Sequence, residues 1–263
     1  MKLIETGKTY TFDEEGYLIA DNSDLLIETK WLDAISYFVS IYNKDYIHSI
    51  YVRGSVCLGE AVENISDLDI IIVYREKRFL DDLNSDELVE PFDEYNKEVN
   101  SIMTDKYPFI KYLDFTFVTP ELNGFDILMI KHLSTCVYGN SLIPHLRRSK
   151  KSEIAKMRLN YKQFRTHFDY MLADFISPRN IAANLLRISF ILLHKTVKTD
   201  IWTRDIYQCY KHCLEVYPEQ NEGLKSILHV IIESKTYRNT KTLFINYEAW
   251  LHSELLKHKI IDE

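Results

Sequence analysis

The chain of 263 residues is short of glycine (7), proline (6) and cysteine (4). It has no apolar run approaching the ~18 residues that a membrane span requires, which excludes a helical membrane protein. Its opening, MKLIETGKTYTF, lacks the apolar core of a signal peptide, so a cytoplasmic location is expected. The four cysteines, Cys57, Cys136, Cys209 and Cys213, are scattered and suit a reducing compartment. Cys209, His212 and Cys213 lie within about one helical turn, but no second cluster completes four ligands, so core or surface positions are the better reading. Internal repeats and low-complexity segments are also missing. There is no basic excess: Lys and Arg number 32 against 39 Asp and Glu, for a net charge of −7. That balance weighs against a nucleic-acid polymerase with a basic face and suits a cationic small molecule. What is present is 46% hydrophobic and 27% charged, the composition of a globular protein with a real core.

The stretch that organises the chain is YVRGSVCLGEAVENISDLDIIIVY, residues 51–74. An apolar strand runs into Gly54-Ser55, and Ser66-Asp67-Leu68-Asp69 opens a second apolar run. With a period of two, Asp67 and Asp69 project from one face while Leu68 and Ile70 face the core. Adjacent carboxylates repel, so fold stability gives no reason for the pair. A divalent cation does: Mg²⁺ takes one or two protein carboxylates and fills its other positions with phosphate and water. Gly54 lets the backbone approach a ligand, and the Ser55 hydroxyl with neighbouring amides suits phosphate oxygens.

Taken in order, residues 9–19 read as a hairpin around Asp13-Glu14-Glu15-Gly16. Asn22-Ser23 cap a helix whose apolar side carries Leu26, Trp31, Ile35, Phe38 and Tyr42. Strands are expected at 46–53 and 68–74, then a charged loop over 75–90. A helix with Pro91 at its first position and Phe92, Tyr95, Val99, Ile102 and Met103 on its apolar side follows. In IKYLDFTFV, residues 110–118, a third strand puts Leu113, Phe115 and Phe117 on one face and Tyr112, Asp114 and Thr116 on the other. Buried without a partner, Asp114 would cost several kcal/mol, so it needs a cation, a donor or solvent. A helix at 125–133 and a short strand at Ser134–Tyr138 complete the first half. His145, Arg147, Arg148, Lys150 and Lys151 read as a solvated linker or a triphosphate contact.

After residue 151 strand-like runs stop. Ile154, Met157, Tyr161, Phe164, Phe168, Met171 and Phe175 mark a long amphipathic helix. Ser177-Pro178 start another, apolar most of the way round and therefore expected at the centre of a bundle. Helices near 203–217, 220–234 and 240–258 follow. The expectation is an α+β domain over residues 1–150 and an all-α domain over 151–263.

Gly54-Ser55, Gly59 and Ser66-Asp67-Leu68-Asp69 at the head of an apolar strand resemble the signature of the DNA polymerase β superfamily of nucleotidyltransferases. With the helical second half, Pro178-Arg179-Asn180 and Arg187, the layout is similar to the aminoglycoside adenylyltransferases, which bind ATP and antibiotic between two such domains. WTRDIYQCY (202–210) and VYGNSLIP (137–144) also resemble segments of bacterial nucleotidyltransferase-domain proteins.

The resemblance implies a mixed β-sheet flanked by helices, followed by a helical bundle. It implies Asp67, Asp69 and Asp114 as catalytic residues and ligands of two Mg²⁺ ions. Gly54, Ser55, Ser66 and Arg204 would meet a nucleoside triphosphate, ATP in the first reading. Asn180, Arg187 and Asp205 would face a small hydroxylated acceptor. Each of these helical-domain residues also has a plain reading: Asn180 supporting a cap, Arg187 meeting a carboxylate or phosphate, Arg204 and Asp205 starting a helix. Three departures stand out: Leu58 occupies a position often basic in the superfamily, the loop from Gly59 to Ser66 is one residue longer than the shortest versions, and Asp114 stands where the aminoglycoside enzymes have Glu. A tRNA or protein acceptor is the enzymatic alternative, and a nucleotide-binding regulator without catalysis is the other class. Monomer and homodimer stay open.

Overall fold

A computed structural model describes residues 7–20, 27–64, 66–76, 86–157, 178–196, 199–233 and 240–259. The chain separates into two compact units, one of Ile19–Lys150 and one of Met1–Leu18 with Lys151–Glu263.

The first unit is built on a four-stranded mixed sheet. Its strands are β3 (Ile47–Arg53), β4 (Leu68–Tyr74), β5 (Leu113–Val118) and β6 (Ser134–Gly139), in the order β5-β4-β3-β6. The β3–β4 and β3–β6 pairs are antiparallel, whereas β4–β5 is parallel. β4 carries four consecutive β-branched residues, Ile70 to Val73, all buried. Burying each contributes about 1.5–3 kcal/mol, which makes this strand the centre of the unit. Helix α1 (Thr29–Ile41) packs Trp31, Ala34, Ile35 and Phe38 into the core with Ile50, Val52, Leu68, Ile70, Ile72 and Leu113. The Asn22-Ser23 cap and Leu26 lie outside the described residues. A four-residue helix, α2 (Gly54–Cys57), follows β3.

Helix α3 spans Asp86–Lys106, so it starts before Pro91, the residue expected to open it. Helix α4 (Gly124–Leu133) begins with a capping box: Asn123 accepts from the amides of Phe125 and Asp126, while Asp126 accepts from the Asn123 amide.

In the second unit, helices α5 (Lys151–Met157), α6 (Pro178–Thr196), α7 (Ile206–Val216), α8 (Asn221–Glu233) and α9 (Lys241–Lys257) are described. The residues from Tyr161 to Ser177, expected in the long amphipathic helix and the cap after it, lie outside the described set. α6 buries Ile181, Ala182, Leu185, Leu186, Phe190, Leu192 and Leu193 and packs on α7, α8 and α9, as its all-round apolar pattern demands. Cys209 and Cys213 are buried in this core.

The N-terminal hairpin and the helical half also differ from expectation. Strand β1 (Tyr10–Phe12) does neighbour β2 (Leu18–Ile19), but it also pairs antiparallel with β7 (Ile201–Trp202), Tyr10 opposite Trp202. The described residues 7–18 therefore group with the helical unit, and the all-α description of that half gains a small sheet. The reason is long-range pairing: Trp202, fully buried, packs its ring at a tilt against Tyr10, and Thr203 Oγ1 donates to the Lys8 carbonyl.

Candidate active site

The site is assembled at one end of β3, β4 and β5. Asp69 and Asp114 are partners in the parallel β4–β5 register, and Arg53 is the antiparallel partner of Asp69. Directly paired residues project on the same side of a sheet, so Arg53, Asp69 and Asp114 share a face. Leu68, Ile70 and Leu113 turn into the core behind them. Arg53 Nη2 lies 3.3 Å from Asp69 Oδ1, 3.5 Å from Asp114 Oδ2 and 3.4 Å from Thr116 Oγ1. The guanidinium reaches from β3 across β4 to β5 and neutralises both acids at once. Exposure is graded: the side chain of Arg53 is 16% exposed, that of Asp69 22% and that of Asp114 52%.

β5 is held in place by Asn100 of α3, whose Oδ1 accepts from the Leu113 amide at 2.8 Å. Gly54 adopts φ +74°, a left-handed conformation that glycine enters without penalty. A Cβ there would overlap Asp69 Oδ2, so the glycine lets the backbone close against the carboxylate. Beyond it the Leu58 amide donates to the Gly54 carbonyl and the Glu60 amide to that of Ser55, which folds the bend into a compact turn.

Asp67 has a separate environment. Ser66 Oγ accepts from the Val62 amide, and the Ser66 amide donates to the Val62 carbonyl, both at 2.8 Å. The Asn64 amide donates to the Phe109 carbonyl, and that of Leu68 to Tyr112. These bonds tie the 59–66 loop to the segment before β5 and set Asp67 beside Lys111, with Oδ1 to Nζ at 3.7 Å. Asp67 Oδ1 is itself shielded from solvent and accepts no hydrogen bond. Among the described residues no group of three His, Cys, Asp or Glu side chains is gathered closely enough to hold a metal ion. Asp69 and Asp114 thus converge on one cation, and Asp67 faces another.

Of the helical-domain candidates, Asn180 is exposed in the first turn of α6. Arg187 Nε donates to the Arg204 carbonyl at 3.3 Å. Asp205 is the N-cap of α7, accepting from the Gln208 amide at 2.8 Å, and a Cβ on Gly7 would overlap its carboxyl group. Burial pushes the Asp205 carboxyl up from its usual range, while the helix amides and Arg187 oppose the shift. Arg187, Arg204 and Asp205 are therefore neighbours at the start of α7, and helix capping accounts for Asp205.

The residues that sequence reasoning missed are Arg53 and Lys111. Arg53 immediately precedes the Gly-Ser bend, and a basic residue ending a mostly buried strand was the available signal. Among the described residues no helix is long and apolar enough to cross a membrane.

Residues 35–122, which contain every residue of this sheet-end site, match the model of the nucleotidyltransferase domain family. No curated protein sequence matches the chain. A crystal structure of spectinomycin adenyltransferase from Enterococcus faecialis, with ATP and spectinomycin, superposes with a TM-score of 0.51 at 14% identity, covering 85% of this chain and 98% of that one. That likeness establishes a shared fold, an α+β sheet domain with a helical region after it. On the matched residues and the fold together, the chain carries a nucleotidyltransferase domain, that of a transferase of phosphorus-containing groups.

Proposed function

We propose that this protein moves a nucleoside monophosphate from a nucleoside triphosphate, ATP in the first instance, to a hydroxyl of a small molecule. The observation that carries this reading is the register of Asp69 and Asp114, two acids 45 residues apart in sequence and side by side on one sheet face next to the Gly54 bend. The neighbouring fold's complex with ATP and spectinomycin makes spectinomycin the small hydroxylated acceptor to try first.

The residues suit Mg²⁺ in their chemistry: all are hard oxygen donors, Asp67 Oδ1 is shielded and lacks a hydrogen bond, and Gly54, having no Cβ, lets Asp69 Oδ2 lie against the bend. Asp69 and Asp67 would hold the metal, with Asp114 as the third acid. When bound, Mg²⁺ neutralises phosphate charge and acidifies a hydroxyl beside it. Gly54 and Ser55 seat the triphosphate, and Ser66 keeps the loop that presents Asp67 in shape. Asp114 is the most exposed of the three carboxylates, so it takes the proton as the acceptor oxygen attacks the α-phosphorus. The new oxygen–phosphorus bond forms as the α–β phosphoanhydride bond breaks, and pyrophosphate leaves.

The unit Ile19–Lys150 is the catalytic domain in this reading, and the helical unit selects the acceptor. Of the residues assigned to it, Asn180 is exposed, while Arg187 and Arg204 sit together at the start of α7 and are assigned to acceptor and nucleotide respectively. Asp205 serves the cap.

Incubating the protein with α-³²P-labelled nucleotides, Mg²⁺ and either spectinomycin or a small-molecule extract tests the reading. Label should appear on a small molecule, with pyrophosphate released. Label on RNA or protein would replace the acceptor class. No transfer to any acceptor class would refute the enzyme.

A further inference from the structure

The charge between Asp69 and Asp114 is supplied by the chain itself. Arg53 Nη2 has three oxygens around it at 3.3, 3.5 and 3.4 Å, from Asp69, Asp114 and Thr116. None is at the ~2.7–2.9 Å of a strong charge-assisted hydrogen bond. The nitrogen is shared among the three rather than committed to one, which is how a cation sits in an oxygen cage. Arginine cannot lose its proton in a protein, so this charge is permanent. It is also sheltered, because the side chain is only 16% exposed.

From this we infer that Arg53 is a resident counter-ion that competes with a divalent cation for Asp69 and Asp114. The inference rests on the proposed function in one respect, that these carboxylates take such a cation. Without metal, Arg53 keeps two repelling acids side by side on adjacent strands and so preorganises the pair. A divalent cation drawn to both acids meets a fixed positive charge on the same oxygens, and the guanidinium must withdraw before it can bind. Lys111 has the corresponding position beside Asp67 but is half exposed and 3.7 Å away, so it yields more easily. The role of Arg53 is positioning: it sets the carboxylates and the affinity with which they accept a cation.

The test is a titration of the full chain with Mn²⁺ alone, free Mn²⁺ being read by electron paramagnetic resonance. Arg53→Met, which keeps bulk and removes charge, should bind Mn²⁺ at least about tenfold more tightly than the parent, and Arg53→Lys should stay within about threefold of it. Equal or weaker binding by Arg53→Met, with Asp69→Asn losing the site, overturns the competition but leaves the metal reading standing. Absence of Mn²⁺ binding in all these proteins overturns both. A second readout needs no variant. Mn²⁺ should speed the modification of Arg53 by phenylglyoxal, followed by mass spectrometry, several-fold in the parent protein, and an unchanged rate refutes displacement.

Discussion

Gly54 and Asp69 are packed so closely that a methyl group on the first would occupy the space of the second's carboxylate oxygen. The contact joins the bend after β3 to the acid in β4, and it places the glycine under two constraints at once. Gly54→Ala puts a Cβ at φ +74°, costing about 1–2 kcal/mol, and displaces Asp69 as well. Both effects point the same way. We expect a melting temperature several degrees lower and at least ~100-fold slower nucleotidyl transfer, measured by scanning calorimetry and label transfer. Wild-type turnover in this variant would show that the close approach is dispensable.

Asp69 and Asp114 should respond differently to loss of charge. Asp69→Asn removes the less exposed partner of Arg53 and should cost about 1 kcal/mol in urea denaturation, since pairs open to solvent contribute little. Asp114→Asn, at the more exposed position, should leave stability within about 0.5 kcal/mol. Transfer should fall by ~10³-fold or more in each, because neither amide can take up a proton or hold a cation. Full activity in either variant would remove that acid from the chemistry.

His132 of α4 predicts the pH dependence of stability. It is buried: its Nε2 accepts from the Ser149 amide at 3.2 Å, and its Nδ1 faces the Ala20 carbonyl at 3.5 Å. Burial holds its pKa down at about 4, from the usual 6.5, with Lys131 and Arg148 adding to the shift against the Ala20 carbonyl. The folded state thus resists a proton that the unfolded chain accepts. The neutral ring's contribution is complete above pH ~6.5 and lost progressively as pH falls toward 4, up to about 3 kcal/mol in all. Urea midpoints at pH 7.5, 6 and 5 should decline in the parent and flatten in His132→Gln. A parent curve level across that range would refute the assignment.

Asp205 separates capping from catalysis. Asp205→Ala should destabilise the protein by about 1 kcal/mol, the usual loss for an N-cap, while Asp205→Asn should retain most of it. In both, kcat and KM should stay near the parent values once the protein is folded. A large rise in acceptor KM for Asp205→Asn would return this residue to the substrate.

The Asp-x-Asp pair, the Gly-Ser bend, Asp114 and the central apolar helix were legible in the residues because each rests on local periodicity or local backbone chemistry. Alternation with a period of two put Asp69 on the face opposite Ile70, and the all-round apolar pattern of α6 required a bundle around it. The start of α3 was not legible, since a proline signals both a helix's first turn and its near neighbours. β7 was missed because a two-residue strand has no periodicity of its own.

By itself the sequence determined which side chains are apolar enough to form β4 and α6 and which acids must avoid the core. Those properties are written within a few residues of one another. Tertiary structure alone decided that Arg53 faces Asp69 and Asp114, that Lys111 serves Asp67, and that Tyr10 pairs with Trp202. Each of these depends on the register between strands or loops far apart in the chain. Such a register follows from how whole elements pack, so no window of neighbouring residues contains it.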